Sequence, residues 1–224
     1  METSPIPSAD RRGRRGPVSL RQRRKERRRA AILKAARAVF SEKGYEAASI
    51  TDIARLAGVA DGTIYRHFAN KKDLLYQVMR AFYERIIADV EQEVEGADSF
   101  EERLFRLVRR HLAVFAEDVD LCWLFIREVR TADDYYNSLL YALNRRYTSI
   151  LLDILKQALA AGEMHSGIDP RMVRDLVYGA IEHLAWRMVN GKGVLRADTV
   201  ARQLSQIVMS GIETPRESAR GARL

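Results

Sequence analysis

The stretch from Ser49 to Phe68, SITDIARLAGVADGTIYRHF, constrains the fold most, because it predicts two short helices around a glycine turn. Ile53, Leu56 and Ala57 fall at i, i+3 and i+4 and predict one apolar stripe on the first helix. Gly58 suits the left-handed conformation that ends a helix. Two helices joined by so short a turn form a helix-turn-helix, whose second helix can enter a DNA major groove. An ordinary helical hairpin has the same spacing, so the pattern alone leaves both interpretations open.

The second helix of this motif is predicted from Asp61 to Phe68. Ile64 and Phe68 fall at i and i+4 and turn inward. The outer surface is then formed by Gly62, Thr63, Tyr65, Arg66 and His67.

A cluster of basic residues precedes the motif. Residues 1–30 contain ten arginines and one lysine against three acidic residues, and the rest of the chain carries no net charge, so the whole formal charge of +8 lies here. Such a cluster is typical of a protein that binds a polyanion, most simply nucleic acid, in a salt-dependent way. The alternative is a solvated tail without a specific partner. A membrane-surface role fits less well, because the cluster lacks interleaved large apolar residues.

Composition limits the remaining possibilities. The chain has 224 residues, 47% of them hydrophobic and only five of them proline, and no strand-like alternation, which together predict an all-α protein. No uncharged apolar run is long enough to cross a membrane, and no apolar segment follows the basic N-terminus as in a secretory signal. Cys122 is the only cysteine, which excludes an intramolecular disulfide and suits the cytoplasm.

About nine helices are expected in total. Besides the two of the motif, helices are predicted over residues 23–43, 70–96, 99–117, 121–126, 134–161, 170–189 and 198–212. The domain organisation that follows is a disordered basic arm (1–22), a helix-turn-helix domain of three helices (23–70), a larger helical domain for ligand and dimerisation (71–213) and a flexible tail (214–224).

The last two long helices carry more apolar surface than one narrow stripe. We interpret this excess as a homodimer interface, in which two copies present two DNA-reading helices to a palindromic operator. The alternative is that both faces are covered within one chain. The candidate interface residues are Val173, Val177, Ala180, Leu184, Leu204 and Val208.

No catalytic or metal-binding pattern is present. The four histidines are widely spaced and lack a partner at metal-ligand spacing, and no nucleophile elbow occurs. The Gly191-Lys192-Gly193 segment is too short and badly placed for a dinucleotide-binding loop. The sequence therefore predicts neither an enzyme nor a bound metal or cofactor.

Residues 28–75 closely resemble the DNA-binding domain of TetR-family transcriptional repressors. The resemblance rests on Ala36–Phe40, Lys43–Tyr45, Thr51–Ala54, Ala57–Val59, Gly62–Phe68 and Asn70–Leu75. It implies an all-α protein with three N-terminal helices for DNA and a larger helical domain for ligand and dimerisation. It also implies phosphate contacts by Thr63, Tyr65 and Lys71, with Thr51 against the DNA backbone.

Other residues of the motif complete the candidate DNA-binding set. Ser49 begins the first helix, and Gly62 allows the second to approach DNA closely. Arg55, Arg66 and His67 are candidates for base or backbone contacts. Asp61 can accept from a cytosine amino group or merely stabilise the first turn of its helix, and the sequence leaves both readings open.

A narrower resemblance is to the acyl-CoA-responsive, fatty-acid-degradation branch of that family. It rests on Gly58–Tyr65 and on the segment from Gly179 through Trp186 to Asn190. It implies a long-chain acyl-CoA effector, which needs an apolar tunnel and cations for the phosphates. The candidates for the tunnel are Trp123, Phe125, Ile126, Tyr178 and Trp186, and those for the charged group are Arg109, Arg127 and Arg130. Each of them can equally be an ordinary core residue or a solvated arginine.

The mechanism expected from these features is ligand-controlled repression. A dimer occupies its double-stranded DNA operator, and a small hydrophobic effector shifts the fourth helix and separates the two reading helices. The alternatives are a repressor that senses a different hydrophobic or cationic compound, as efflux regulators do, and a less specific nucleic-acid-binding protein.

Overall fold

The structure is a computed structural model that describes residues 19–189 and 196–213, with only the backbone of 187–189. The described residues form nine α-helices: α1 Leu20–Ala47, α2 Ile50–Ala57, α3 Asp61–Tyr65, α4 Lys71–Glu95, α5 Phe100–Glu117, α6 Val119–Leu124, α7 Leu139–Ala160, α8 Pro170–Val189 and α9 Ala197–Ile212. The all-α prediction is confirmed. The predicted arm before residue 19 and the predicted tail lie outside the described residues.

Helices α1 to α3 form a head, and α5 to α9 form a body. Helix α4 packs against α1 at one end and against α5 and α7 along the rest of its length. Leu74, Met79 and Ile87 of α4 are all fully buried, so one apolar core continues from the head into the body. Helix α5 lies at the centre of the body and contacts α4, α7, α8 and α9.

Helix α1 begins at Leu20, three residues earlier than predicted, because the Ser19 hydroxyl caps its first turn by accepting from the Gln22 amide. Gly44 takes a positive φ of 74°, and helical structure continues beyond it to Ala47. The first turns of α1 are exposed and strongly basic, and part of the predicted arm is therefore an extension of this helix.

Two predicted helices of the body differ from the structure. The helix predicted over 134–161 begins only at Leu139, because Asp134 bonds to α4 and the Ser138 hydroxyl caps α7. The apolar segment predicted as one buried helix over 121–126 is the end of α6 followed by a π-helical turn, Phe125–Val129. The last helix, predicted to begin at residue 198, begins at Ala197. Asp198 lies in its first turn, and Arg196 occupies the cap position without a side-chain bond.

None of the helices within the described ranges is long and apolar enough to cross a membrane. In the same residues, no group of three or more histidine, cysteine or acidic side chains is placed to hold a metal ion.

Candidate DNA-binding surface and effector cavity

The helix-turn-helix is fixed by side-chain bonds at both ends of α2. The Ser49 hydroxyl accepts from the Asp52 amide at 3.0 Å, and Gly58 ends the helix in the left-handed conformation with φ of 65°. The Thr51 hydroxyl donates to the Asp61 carboxylate at 2.7 Å, which joins the start of α2 to the start of α3. Asp61 is therefore an internal partner that sets the angle between the two helices.

Asp52 organises two cations beside this turn. Lys43 lies 2.9 Å from its carboxylate, and Arg55 forms a second ion pair with it. The hydrogen bond from Lys43, helped by Ser49, lowers the pKa of Asp52 to about 2. Arg55 remains largely exposed, so it can leave this pair for a phosphate.

The outward face of α3 presents part of the predicted set. Tyr65 is 57% exposed, and Gly62 and Arg66 are exposed beside it. Thr63, which the resemblance places on a phosphate, is buried, and its hydroxyl accepts from Arg66 at 2.9 Å. Thr63 therefore orients Arg66 and is not itself presented to a ligand. Leu56 of α2 was predicted to lie inward but is exposed, because Ala54 takes the buried position beside Ile53.

Lys71 has an internal role in this structure. Its ammonium group donates to the backbone carbonyls of Tyr45, Glu46 and Ala48 at 2.9, 3.2 and 3.2 Å. It also lies 4.5 Å from the centre of the Tyr45 ring. These contacts use all three of its donors at the end of α1, where a cation is favoured by the helix dipole. A phosphate contact by Lys71 would require these bonds to break.

A basic groove that the motif did not predict lies between α1 and α3. It is lined by Ser19, Arg21, Gln22, Arg24, Lys25, Arg28, Arg66 and His67. Partial burial, followed by the nearby cations Lys25, Arg66, Arg28 and Arg29, lowers the pKa of His67, so this imidazole is neutral at physiological pH. The sequence signal for this groove was the excess of positive charge in residues 1–30. Only the packing of α1 shows which of these cations lie beside the reading helix.

The body encloses a cavity of about 710 Å³ between α4, α5, α7 and α8. Four of the predicted ligand residues line it: Phe125, Ile126, Arg130 and Tyr178. A volume of this size lies within the range of small-molecule sites in proteins.

The other predicted ligand residues lie elsewhere. Arg109 forms an ion pair with Glu93 at 2.6 Å on a different side of the body. Arg127 stacks on the Trp123 ring at 5.1 Å, and Trp123 packs edge-on against Trp186 at 5.6 Å. None of these four residues lines the cavity. Arg127 follows Phe125 and Ile126 in the π-helical turn, but those two residues line the cavity and Arg127 is exposed.

The cavity contains a buried polar cluster that sequence reasoning missed. His111 of α5 forms a hydrogen bond through Nδ1 with the hydroxyl of Tyr147, which is 2% exposed. Tyr178 packs edge-on against His111 with ring centres 5.1 Å apart. Burial lowers the pKa of His111 to about 3, so its imidazole is neutral. Helical spacing marks these residues as core and gives no sign that they share a cavity.

Cations lie at the open side of the cavity. Four arginines line it, of which Arg130 pairs with Glu182 at 2.6 Å and Arg174 with Asp175 at 2.8 Å. The other two, Arg145 and Arg171, are exposed and form no ion pair within the described part of the chain. Only Arg130 was predicted.

Two carboxylates connect the body with the head. Asp118, between α5 and α6, is buried and pairs with Arg37 of α1 and Arg85 of α4. Asp134, which follows the π-helical turn, accepts from Lys72 at 2.8 Å and from the Tyr76 hydroxyl at 3.1 Å in the first turns of α4. The body is therefore joined directly to α1 through Asp118 and to the start of α4, which follows the head, through Asp134.

The predicted dimer residues divide into two groups. Val173 and Val177 are buried within the single chain, where α8 packs on α5 and α7, and they belong to the core. Ala180, Leu184, Leu204 and Val208 keep exposed or partly exposed side chains. The most exposed apolar residues that the structure describes on these helices are Met172, Leu176 and Ile207, which are not among the candidate interface residues named above.

A reading helix at one end and a cavity at the other, joined through one long helix, are the parts of a ligand-responsive DNA-binding regulator. Comparison with known proteins identifies the class more closely. Residues 32–78 match the family model described as bacterial regulatory proteins, tetR family, and residues 97–212 match the tetracyclin repressor-like C-terminal domain. The chain belongs to the TetR family of bacterial transcriptional regulators.

Several relatives share this arrangement over most of their length. The fatty acid metabolism regulator protein of Bacillus subtilis is 30% identical over 183 residues, which cover 81% of this chain and 93% of that protein. The repressor KstR2 of Mycobacterium tuberculosis is 28% identical over 198 residues, covering 83% and 92%. The structure of FadR from Bacillus subtilis in complex with stearoyl-CoA has a TM-score of 0.73 and 27% identity, and the match covers 82% of this chain and 99% of that one.

These relatives are transcriptional regulators, and members of the family bind operator DNA as dimers. The predictions of a TetR-type repressor and of DNA and effector partners are confirmed at the level of the family. The roles of individual DNA, ligand and interface residues stay predictions, as revised by the geometry above.

Proposed function

We propose that this protein is a repressor whose effector is a long-chain acyl-CoA, and that the effector releases the dimer from a palindromic operator. The observation that carries the proposal is the cavity, whose lining combines aliphatic and aromatic side chains with four arginines. The aliphatic and aromatic side chains suit an acyl chain, and the arginines suit phosphates. A relative of similar fold is known in complex with stearoyl-CoA.

The charge at the cavity argues against a cationic effector. Four arginines line it against two carboxylates, Asp175 and Glu182, and both carboxylates are already paired with arginine. A cationic compound would meet net repulsion there. An anionic head group can be met by Arg145 and Arg171 without breaking an existing ion pair.

We propose that DNA is contacted by the exposed face of α3 together with the basic groove beside α1. Tyr65, Arg66 and Arg55 supply donors, and Gly62 leaves room for close approach. The cations of α1 supply phosphate contacts that make binding strongly salt-dependent. Because a bacterial operator lies in the cytoplasm, we propose that the protein acts there.

The proposed signal passes through the segment that follows the π-helical turn. An effector that displaces this segment moves Asp134, and with it Lys72 and Tyr76 in the first turns of α4. Movement of α4 then changes the separation of the two heads in a dimer. The coupling free energy between the two sites equals the difference between the free energies with which the effector binds the free and the operator-bound protein.

Gel-shift titration of the operator complex tests the effector. Palmitoyl-CoA and oleoyl-CoA are expected to release the protein, and free CoA is not, because it lacks the chain that fills the cavity. If neither acyl-CoA changes operator affinity, the effector assignment is wrong while membership of the family stands.

A pair of variants tests the role of the arginines. Arg145→Gln combined with Arg171→Gln should raise the acyl-CoA concentration needed for release by about tenfold or more, since charged hydrogen bonds to phosphate are lost. Operator affinity without effector should not change. The matched control is Arg146→Gln, because Arg146 adjoins Arg145 in sequence but pairs with Glu91 outside the cavity. An equal effect of the control contradicts the assignment.

A further inference from the structure

We propose that the cavity binds a carbonyl oxygen of the effector through three hydrogen-bond donors, those of Tyr135, Asn144 and His111. The inference rests on the proposed function and deepens it, because it states which chemical group the apolar interior recognises. All three residues line the cavity.

The first donor follows from the hydrogen bond between His111 and Tyr147. Tyr147 is almost completely buried, and its hydroxyl contacts only Nδ1 of His111 among the described residues. Its proton has no other acceptor, so the tyrosine donates and Nδ1 accepts. A neutral imidazole that accepts at Nδ1 carries its proton at Nε2. Nε2 has no partner in the described part of the chain, so it offers a free N–H group.

The second donor follows in the same way from Asn144. The Tyr83 hydroxyl is buried and donates to Oδ1 of Asn144 at 3.1 Å. This bond fixes the orientation of the amide, because the opposite orientation would place the NH₂ group against a hydroxyl that has no other acceptor. The Nδ2 group of Asn144 therefore keeps its two protons. It makes no hydrogen bond of standard geometry among the described residues, although Asn144 lies close enough to the Tyr135 hydroxyl to lower its pKa.

The third donor is the hydroxyl of Tyr135. This group is buried and has no hydrogen-bond partner among the described residues. Burial raises the pKa of Tyr135, and the nearby Arg130 guanidinium and, to a smaller extent, the Asn144 side chain offset this only in part. Buried polar groups are almost always satisfied in folded proteins. Because Tyr135 lines the cavity, a ligand bound there is the partner that we infer for its unsatisfied hydroxyl.

The three groups together define the chemistry of that partner. Each can donate a hydrogen bond. In His111 and Asn144 the acceptor atom is already bonded to a tyrosine, and the Tyr135 hydroxyl has no partner among the described residues. A carbonyl oxygen is an acceptor that brings no proton of its own, so it complements a set of donors better than a hydroxyl or an amine does. An acyl-CoA can supply such an oxygen from its thioester, and an oxidised acyl chain can supply it from a keto group.

Tyr135 also places the carbonyl close to the contact between the body and α4. It directly follows Asp134, whose carboxylate holds Lys72 and Tyr76 of α4. A bond between the effector and Tyr135 therefore acts one residue away from the contact with α4.

Calorimetric titration of the full-length protein with matched ligands tests the inference. Palmitoyl-CoA is compared with S-hexadecyl-CoA, the thioether in which the carbonyl is replaced by a methylene group, and with 3-oxopalmitoyl-CoA. If the thioester oxygen is the acceptor, palmitoyl-CoA binds about tenfold more tightly than the thioether. If a keto oxygen is the acceptor, these two bind equally and 3-oxopalmitoyl-CoA binds about tenfold more tightly than either.

The variant Tyr135→Phe assigns the effect to the site. It removes a hydroxyl that has no hydrogen-bond partner among the described residues, so folding should be unaffected. The affinities for the ligands with and without the carbonyl should become nearly equal. The matched control is Tyr136→Phe, since Tyr136 is the neighbouring tyrosine, is 72% exposed and packs on Tyr135. Asn144→Leu is a second variant and should reduce the same preference.

A ligand pair without CoA separates this inference from the proposed function. 2-Tridecanone and tridecane have chains of equal length and differ only in the carbonyl group, which is a methylene group in tridecane. If no CoA compound binds, the acyl-CoA effector is wrong, and a tenfold preference for the ketone still supports the carbonyl site. Equal affinities within every pair for the wild-type protein, or a preference that Tyr135→Phe leaves intact, overturn the inference.

Discussion

Replacing Asp118 with asparagine tests whether a single carboxylate holds the head against the body. Asp118 is buried at the junction of α5 and α6, and it pairs with Arg37 of α1 and Arg85 of α4. The variant keeps the size of the side chain and removes its charge. Two guanidinium groups then share a neutral amide, and α1 loses an ionic contact with the body.

The expected cost follows from the exposure of the partners. Removing one member of a fully buried pair costs about 3–5 kcal/mol, whereas an exposed pair contributes about 0–1 kcal/mol. The side chain of Asp118 is 5% exposed, but those of Arg37 and Arg85 are 47% and 39% exposed. Both arginines can therefore recover water, which places the expected loss at about 2 kcal/mol, between the two limits. For a chain of this size the thermal midpoint falls by roughly 4–8 °C.

Thermal and urea denaturation at a fixed protein concentration measure this loss, and effector titration of the operator complex measures the coupling. The matched control is Glu117→Gln, because Glu117 is the preceding residue and forms an ion pair with Arg110 from a side chain that is 50% exposed. The control should shift the midpoint by less than about 4 °C. If Asp118→Asn and Glu117→Gln shift the midpoint equally, the buried bridge does not stabilise the domain junction and the reasoning is wrong.

Four further predictions concern the head and the dimer face. Tyr65→Ala should weaken operator binding by about tenfold without changing the thermal midpoint, because Tyr65 is exposed on α3, and unchanged affinity would remove it from the contact set. Lys71→Met should lower the thermal midpoint, because three carbonyls at the end of α1 lose their donor. It should leave the salt dependence of operator binding unchanged. Arg66→Gln, by contrast, should reduce the slope of log affinity against log salt concentration by about one. Asp52→Asn should lower stability at neutral pH. The pKa of Asp52 is lowered to about 2, so its contribution to the free energy of unfolding is present above its unfolded pKa near 4 and is lost as the pH falls through about 2. If the stabilities of the wild type and of Asp52→Asn do not become equal at that low pH, this assignment is contradicted. Leu176→Glu should shift the sedimentation equilibrium towards monomer, since Leu176 is exposed on α8, and an intact dimer would place the interface elsewhere.

The helix-turn-helix could be predicted from the sequence because its signals are local. Ser49 caps α2, Gly58 ends it in the left-handed conformation, and Asn70 caps α4 by accepting from the Asp73 amide at 2.8 Å. Caps and turns depend on residues only three or four positions apart, so the printed order of residues contains them.

Prediction was less successful where a residue serves a distant partner. Lys71 and Thr63 have side chains suited to phosphate, but one caps α1 and the other orients Arg66. The helix predicted from Asp134 begins later because that carboxylate bonds to α4, more than fifty positions away in the chain. A local sequence pattern does not show when a side chain bonds to a residue that is distant in the chain.

The ligand residues illustrate the same limit. Trp123 and Arg109 have the right chemistry for an acyl chain and a phosphate, but they lie on other surfaces of the body. His111 and Tyr147 carry no sequence signature, and they meet because α5 and α7 cross with these two positions facing each other.

The sequence by itself determined that this protein is all-α and reads DNA through a helix-turn-helix, because helix periodicity, caps and a local excess of arginine are properties of neighbouring residues. Only the tertiary structure decided which side chains enclose the cavity, which cations face the reading helix and how the two ends of the molecule are joined. Those properties depend on contacts between helices that are distant in the chain, and hydrophobic packing places them together without leaving a pattern in the order of the residues.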